Sequence, residues 1–93
     1  MDYQYPISYE WSTEEMVSVL AFYECIEKAY EKGISRTELM SAYRRLKEII
    51  PGKSDEKNLC DEFEEVSGYS AYRAVKKAKD ASEEDWISIK KQG

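Results

Sequence analysis

Ninety-three residues leave room for one hydrophobic core, and a net charge of −5 argues against a protein that binds nucleic acid or anionic lipid through bulk charge. The chain has no histidine and two widely separated cysteines, Cys25 and Cys60. That excludes histidine-based nucleophile pairs and the close Cys/His spacing of a zinc site.

An aromatic leader over residues 1–11 carries Tyr3, Tyr5, Tyr9 and Trp11. It reads as an extended strap that lies across the helices, buries its rings and leaves hydroxyls at the rim. It has neither the basic nor the apolar region of a secretory signal. No apolar run approaches the ~20 residues of a membrane span. The expected location is therefore cytoplasmic, with both cysteines as free thiols.

A first helix is expected over residues 13–32. Ser12 and Glu15 have capping-box spacing, and Trp11 and Met16 have that of a hydrophobic staple. Met16, Val19, Leu20, Tyr23, Ile26 and Tyr30 then recur at helical steps. Gly33 follows, where a helix end accepts positive φ. The same punctuation returns with Ser35 and Glu38, flanked by Ile34 and Leu39, and starts a second helix over 36–50. Pro51-Gly52 ends it, because the residue before a proline is pushed out of the helical region.

A third helix is expected over 55–66, starting after Ser54, with a narrow stripe of Leu59, Cys60, Phe63 and Val66. Ser67-Gly68 closes it. A fourth, over 70–80, is expected to bury Tyr72, Val75 and Ala78. In the tail, 81–93, Ser82-Glu83-Glu84-Asp85 resembles another helix start. Only Trp86, Ile87 and Ile89 follow it, so a helix there is short and marginal unless docked. The expected fold is all-α: a compact four-helix array with an extended aromatic N-terminal strap, in one domain spanning 1–93.

Charge alternates in sign along the chain. Residues 10–33 carry a net −4, 34–53 carry +3, 54–66 carry −5 and 67–79 carry +4. Complementary rims on antiparallel neighbours explain such alternation as solvated, mutually paired helix faces. Adjacent carboxylates such as Glu14-Glu15 and Glu64-Glu65 diverge on a helix, and no phosphate-cradling glycine motif is present. With no acid, base and nucleophile set to assemble, the expectation is a non-enzyme without metal or cofactor.

The candidate partner-binding surface is Tyr69, Tyr72, Arg73 and Lys76, where aromatic rings and cations follow the loop glycine Gly68. The leading expectation is a protein-interaction module with a protein partner. Self-association is a separate case, and weak nucleic-acid binding through the basic fourth helix is the alternative.

The segments Tyr3-Gln4-Tyr5-Pro6-Ile7, Trp11-Ser12, Glu14-Glu15-Met16, Tyr43-Arg44-Arg45, Lys47-Glu48-Ile49-Ile50-Pro51 and Ser67-Gly68-Tyr69-Ser70 with Tyr72 carry a resemblance. The chain resembles, from its N-terminus to about Lys79, the YktA-like proteins of Firmicutes, known as uncharacterised protein family 0223. The resemblance implies a small all-helical cytosolic bacterial protein. It brings no activity, catalytic residue or ligand with it.

Overall fold

The computed structural model describes residues 4–89. Four helices, α1 (Thr13–Glu31), α2 (Arg36–Ile49), α3 (Lys53–Ser67) and α4 (Ala71–Asp80), follow the strap. Two short strands, β1 (Ile34–Ser35) and β2 (Trp86–Ile87), pair antiparallel with Ile34 opposite Ile87 and Ser35 opposite Trp86. The fold is thus mostly helical, with one minimal sheet. Tyr3 lies outside the described residues.

Local chemistry sets the helix ends. At α1 the Ser12 hydroxyl accepts from the Glu15 N–H, and the Glu15 carboxylate accepts from the Ser12 N–H, a complete capping box. At α2 only the first arm forms, from the Glu38 N–H to the Ser35 hydroxyl, and Glu38 reaches Lys28 at 3.5 Å instead. Ser35 is also a ladder residue of β1, and the next amide, Arg36 N–H, donates to the Asp85 carbonyl. Part of the capping of α2 therefore comes from the tail. Helix α3 starts at Lys53 with Gly52 as its cap, not after Ser54, and no side chain bonds that cap. The acids Asp55 and Glu56 occupy the first turn, where the helix dipole favours negative charge.

The core gathers around α1, which buries Val19, Phe22, Tyr23, Cys25, Ile26 and Ala29. Leu39 and Leu46 face it from α2, and Phe63 from α3. Full burial of each such side chain is worth roughly 1.5–3 kcal/mol. Helix α4 packs a face of small residues, Ala71, Ala74, Val75 and Ala78, at helical steps. Here the structure corrects the expected stripe: Tyr72 is 72% exposed, because it lies roughly 100° around the helix from that face. Val66 of α3 is likewise exposed, and buried Ser67 takes its place. The Ser67 hydroxyl donates to the Phe63 carbonyl and accepts from the Tyr69 N–H, so it is fully used.

The tail forms no helix among the described residues. Ser82 to Asp85 make a turn, with the Asp85 N–H on the Ser82 carbonyl and the Ser82 N–H on the Asp85 carboxylate. Ile87 and Ile89 are then buried against the helices, and the Ile89 N–H bonds the Ala29 carbonyl. Arg36 completes the clamp, its Nε donating to the Ala78 carbonyl at the end of α4. Docking replaces the helix that three acids and three apolar residues cannot sustain alone.

The strap is held to the helices around Tyr5 and Pro6, and Trp11 packs against the core as well. The Tyr5 ring stacks on Tyr23 (centroids 5.4 Å) and Phe63 (6.2 Å), and its hydroxyl donates to Glu27 at 2.7 Å. The Tyr23 hydroxyl donates to the Pro6 carbonyl at 2.8 Å. Tyr9, expected to bury its ring, is 91% exposed.

Candidate functional site

Gly68 turns the chain between α3 and α4 at φ +80°, a conformation that glycine adopts without penalty. Immediately after it, Tyr69 folds inward. Its ring stacks on Tyr30 (4.7 Å, 13° between planes), and its hydroxyl donates to Glu31 at 2.9 Å. Burial, and then the Glu31 carboxylate beside it, raise the Tyr69 phenol above its ordinary range. The Tyr30 hydroxyl in turn accepts from the Ser70 N–H, which fixes the entry to α4. Tyr69 is therefore a corner post of the fold and not part of an open surface. Stacking on Tyr30 across the loop draws it in, a contact that sequence spacing does not reveal.

The other three candidates share one exposed side. Ser70 caps α4 through the Arg73 N–H, and Tyr72, Arg73 and Lys76 then point to solvent. Among the described residues neither Arg73 nor Lys76 is ion-paired. The expected pairing of α4 with the acidic α3 does not form there. The ion pairs are Lys28–Glu38, Arg45–Glu48, Lys47–Glu56 and Lys57–Asp61, and none joins those two helices. Lys77 and Lys79 are engaged elsewhere: Lys77 donates to the Ser88 carbonyl, and Lys79 lies 5.1 Å over the Tyr43 ring. The available basic patch is accordingly narrow.

Two concave features are lined by residues outside α4. A groove of about 660 Å³ between the strap and α3 is lined by Gln4, Tyr5, Pro6, Glu62, Glu65 and Val66. A smaller notch of about 260 Å³ lies beside Trp86 and Gly33, with Lys28, Lys32 and Glu38 on its walls. Gly33 has φ +94°, and a Cβ there would run into the Trp86 indole. Trp86 is 64% exposed, so the tail anchors through Ile87 and leaves its indole on the surface. Neither the groove nor the Trp86–Gly33 contact is visible in helical periodicity, because each joins segments distant in sequence.

Among the described residues, the buried thiols and phenols are shifted toward their protonated forms. Burial pushes the Cys25 and Cys60 thiols up to about 11, and nearby acids (Glu38 for Cys25, Glu56 and Asp61 for Cys60) push the same way. Both are free thiols, not thiolates, at neutral pH. Burial also raises the Tyr5 and Tyr43 phenols to about 12, reinforced by their hydrogen bonds to Glu27 and Glu56. Among the described residues, no group of three His, Cys, Asp or Glu side chains could hold a metal ion. No helix there is long and apolar enough to cross a membrane.

Comparison with known proteins matches residues 2–87 to an uncharacterised protein family, UPF0223. A UPF0223 protein of Bacillus mycoides is 58% identical over 96% of this chain and all of its own length. YktA of Bacillus subtilis is 59% identical over 87% of this chain and 92% of its own, and a UPF0223 protein of Bacillus pumilus is 53% identical over 96% and 100%. A match that spans nearly the whole chain, at such identities, makes this protein a member of the UPF0223 family.

Proposed function

We propose that the protein is a non-enzymatic, cytoplasmic interaction module whose docking face is Tyr72, Arg73 and Lys76 on α4. One observation carries this reading. A tyrosine ring 72% exposed stands beside two cations without an ion pair among the described residues, on a helix whose opposite face is locked into the core. Exposed tyrosine and arginine on a rigid element pre-organise an interface, since little conformational freedom is lost on binding. The sign of the patch favours an acidic protein partner. With Lys77 and Lys79 committed within the molecule, too few cations remain for the phosphate contacts that drive nucleic-acid affinity.

The test is capture from the cytosol of a UPF0223-bearing bacterium, at low and at physiological salt, with wild type and Arg73→Ala/Lys76→Ala as bait. Specific acidic partners should be retained by wild type and lost by the variant. Equal recovery by both baits sinks the reading. So does tight, salt-sensitive binding of a single-stranded oligonucleotide that the variant abolishes.

A further inference from the structure

Two surfaces on this chain are complementary to each other. The strap–α3 groove is lined by the apolar groups of Tyr5, Pro6 and Val66 and by two carboxylates, Glu62 and Glu65. Neither carboxylate is ion-paired among the described residues. The α4 face offers the opposite: Tyr72 as an exposed apolar ring, with Arg73 and Lys76 as cations.

The spacings also match. Along α3, Glu62, Glu65 and Val66 follow at steps of three and one. Along α4 read backwards, Lys76, Arg73 and Tyr72 follow at the same steps. Residues three apart on a helix are surface neighbours, roughly 5–6 Å between Cβ atoms. Two helices laid antiparallel therefore put Glu62 level with Lys76, Glu65 level with Arg73 and Val66 level with Tyr72, so that the two carboxylates and the two cations meet along one seam, Glu65 and Arg73 reaching across it from opposite sides. Within one chain this does not happen, since no ion pair joins α3 to α4 among the described residues. Gly68 lies between Val66 and Tyr72 in the chain, so one short turn joins the two helices that carry these surfaces.

We infer that the occupant of the strap–α3 groove is α4 of a second copy of this chain, in a reciprocal two-fold pair. Each copy gives Tyr72, Arg73 and Lys76 and receives them with Glu62, Glu65 and Val66. Two-fold pairing is the commonest closed symmetry, and it uses both surfaces of both copies at once. The contact is small and rimmed by charge, so it is a weak, salt-sensitive association. The inference rests on the reading of α4 as a docking face and names its partner.

The experiment is sedimentation velocity on the intact chain from about 10 µM to about 1 mM, the range of weak interfaces. It compares wild type, Glu62→Lys/Glu65→Lys and Arg73→Glu/Lys76→Glu, with circular dichroism to verify that each is folded. Wild type should form dimers that dissociate as salt rises. Each reversed variant alone places like charges together and should lose on the order of 10-fold or more in affinity. An equimolar mixture of the two should associate again, because both contacts of the pair then regain opposite signs. Wild type that stays monomeric throughout overturns the inference, as does a variant that dimerises unchanged or a mixture that fails to associate. If wild type is monomeric while Arg73→Ala/Lys76→Ala still loses its cytosolic partners, the dimer fails and the docking face stands. If that variant also captures normally, both fail.

Discussion

Helix α1 buries six of its nineteen residues, whereas α3, with fifteen, buries two. An apolar stripe holds a helix in proportion to its width, so α1 is the centre of the fold and α3 an attachment to it. Tyr5 makes up much of the difference. Its ring extends the Tyr23–Phe63 stack (4.6 Å, 9° between planes) and ties strap, α1 and α3 together. A helix too narrow to dock alone is thus held by a piece of chain nearly sixty residues earlier. The hairpin of α1 and α2, by contrast, draws mainly on serine caps at its helix starts and on its own core, with the tail adding one bond at the start of α2.

Phe63→Ala should separate the two regions most sharply. Removing a fully buried ring costs about 3–5 kcal/mol. Because Phe63 is the one fully buried aromatic on α3, hydrogen exchange in α3 should accelerate before that in α1 and α2. Phe22→Ala should cost as much in urea denaturation but loosen all helices together. Equal exchange patterns in the two variants would show that α3 unfolds only with the whole molecule.

On the hairpin side the weak point is the joint. Gly33→Ala imposes a left-handed conformation on alanine, about 1–3 kcal/mol, and drives a methyl into the Trp86 indole. The two costs are separable. In a background of Trp86→Ala the same substitution should keep the conformational part and lose the steric part. A cycle with no coupling between positions 33 and 86 would place the indole elsewhere in solution.

The helices were legible because their signals are local: serine caps, helical steps, Pro51 and the glycines at positions 33 and 68. Docking was not. Tyr69 and Tyr72 are three residues apart and chemically identical, yet one is buried against Tyr30 and the other is exposed. Small residues rather than large ones mark the buried face of α4, so a stripe drawn through Tyr72 misreads it. Trp86 and Ile87 pair with β1 at the joint between α1 and α2, a partner that the tail's own residues do not encode. Of the candidate surface, the exposure of the cations was readable, whereas that of Tyr72, which shares helical steps with Val75, and the strap–α3 groove were not.

Alkaline pH probes the strap more gently. Tyr5 and Tyr43 titrate near 12 and both thiols near 11 in the fold, against ordinary values of 10 and 9. Above about pH 9 the unfolded chain therefore binds fewer protons than the folded one, and stability falls as pH rises. The contribution is complete below pH 9 and is lost progressively as pH passes through 11–12. Urea midpoints between pH 8 and 12 should decline. Tyr5→Phe should flatten that decline while lowering stability near neutrality by about 1 kcal/mol, the worth of its hydrogen bond to Glu27. An identical slope in the variant would mean that Tyr5 is already solvent-exposed.

The smallest expected effect is the most discriminating for function. Tyr72→Ala removes a mostly exposed ring, and a surface change of this kind shifts stability by at most about 0.5 kcal/mol. Tyr69→Ala, three residues earlier, deletes a stacked ring and a hydrogen bond to Glu31 and should cost several times as much. Thermal melts of the two variants side by side measure that ratio directly. A mostly exposed tyrosine, beside cations without an ion pair among the described residues, is the residue whose loss should be felt in binding alone. Comparable destabilisation by both substitutions would mean that Tyr72 also packs within the monomer, and the docking face on α4 would lose its aromatic anchor.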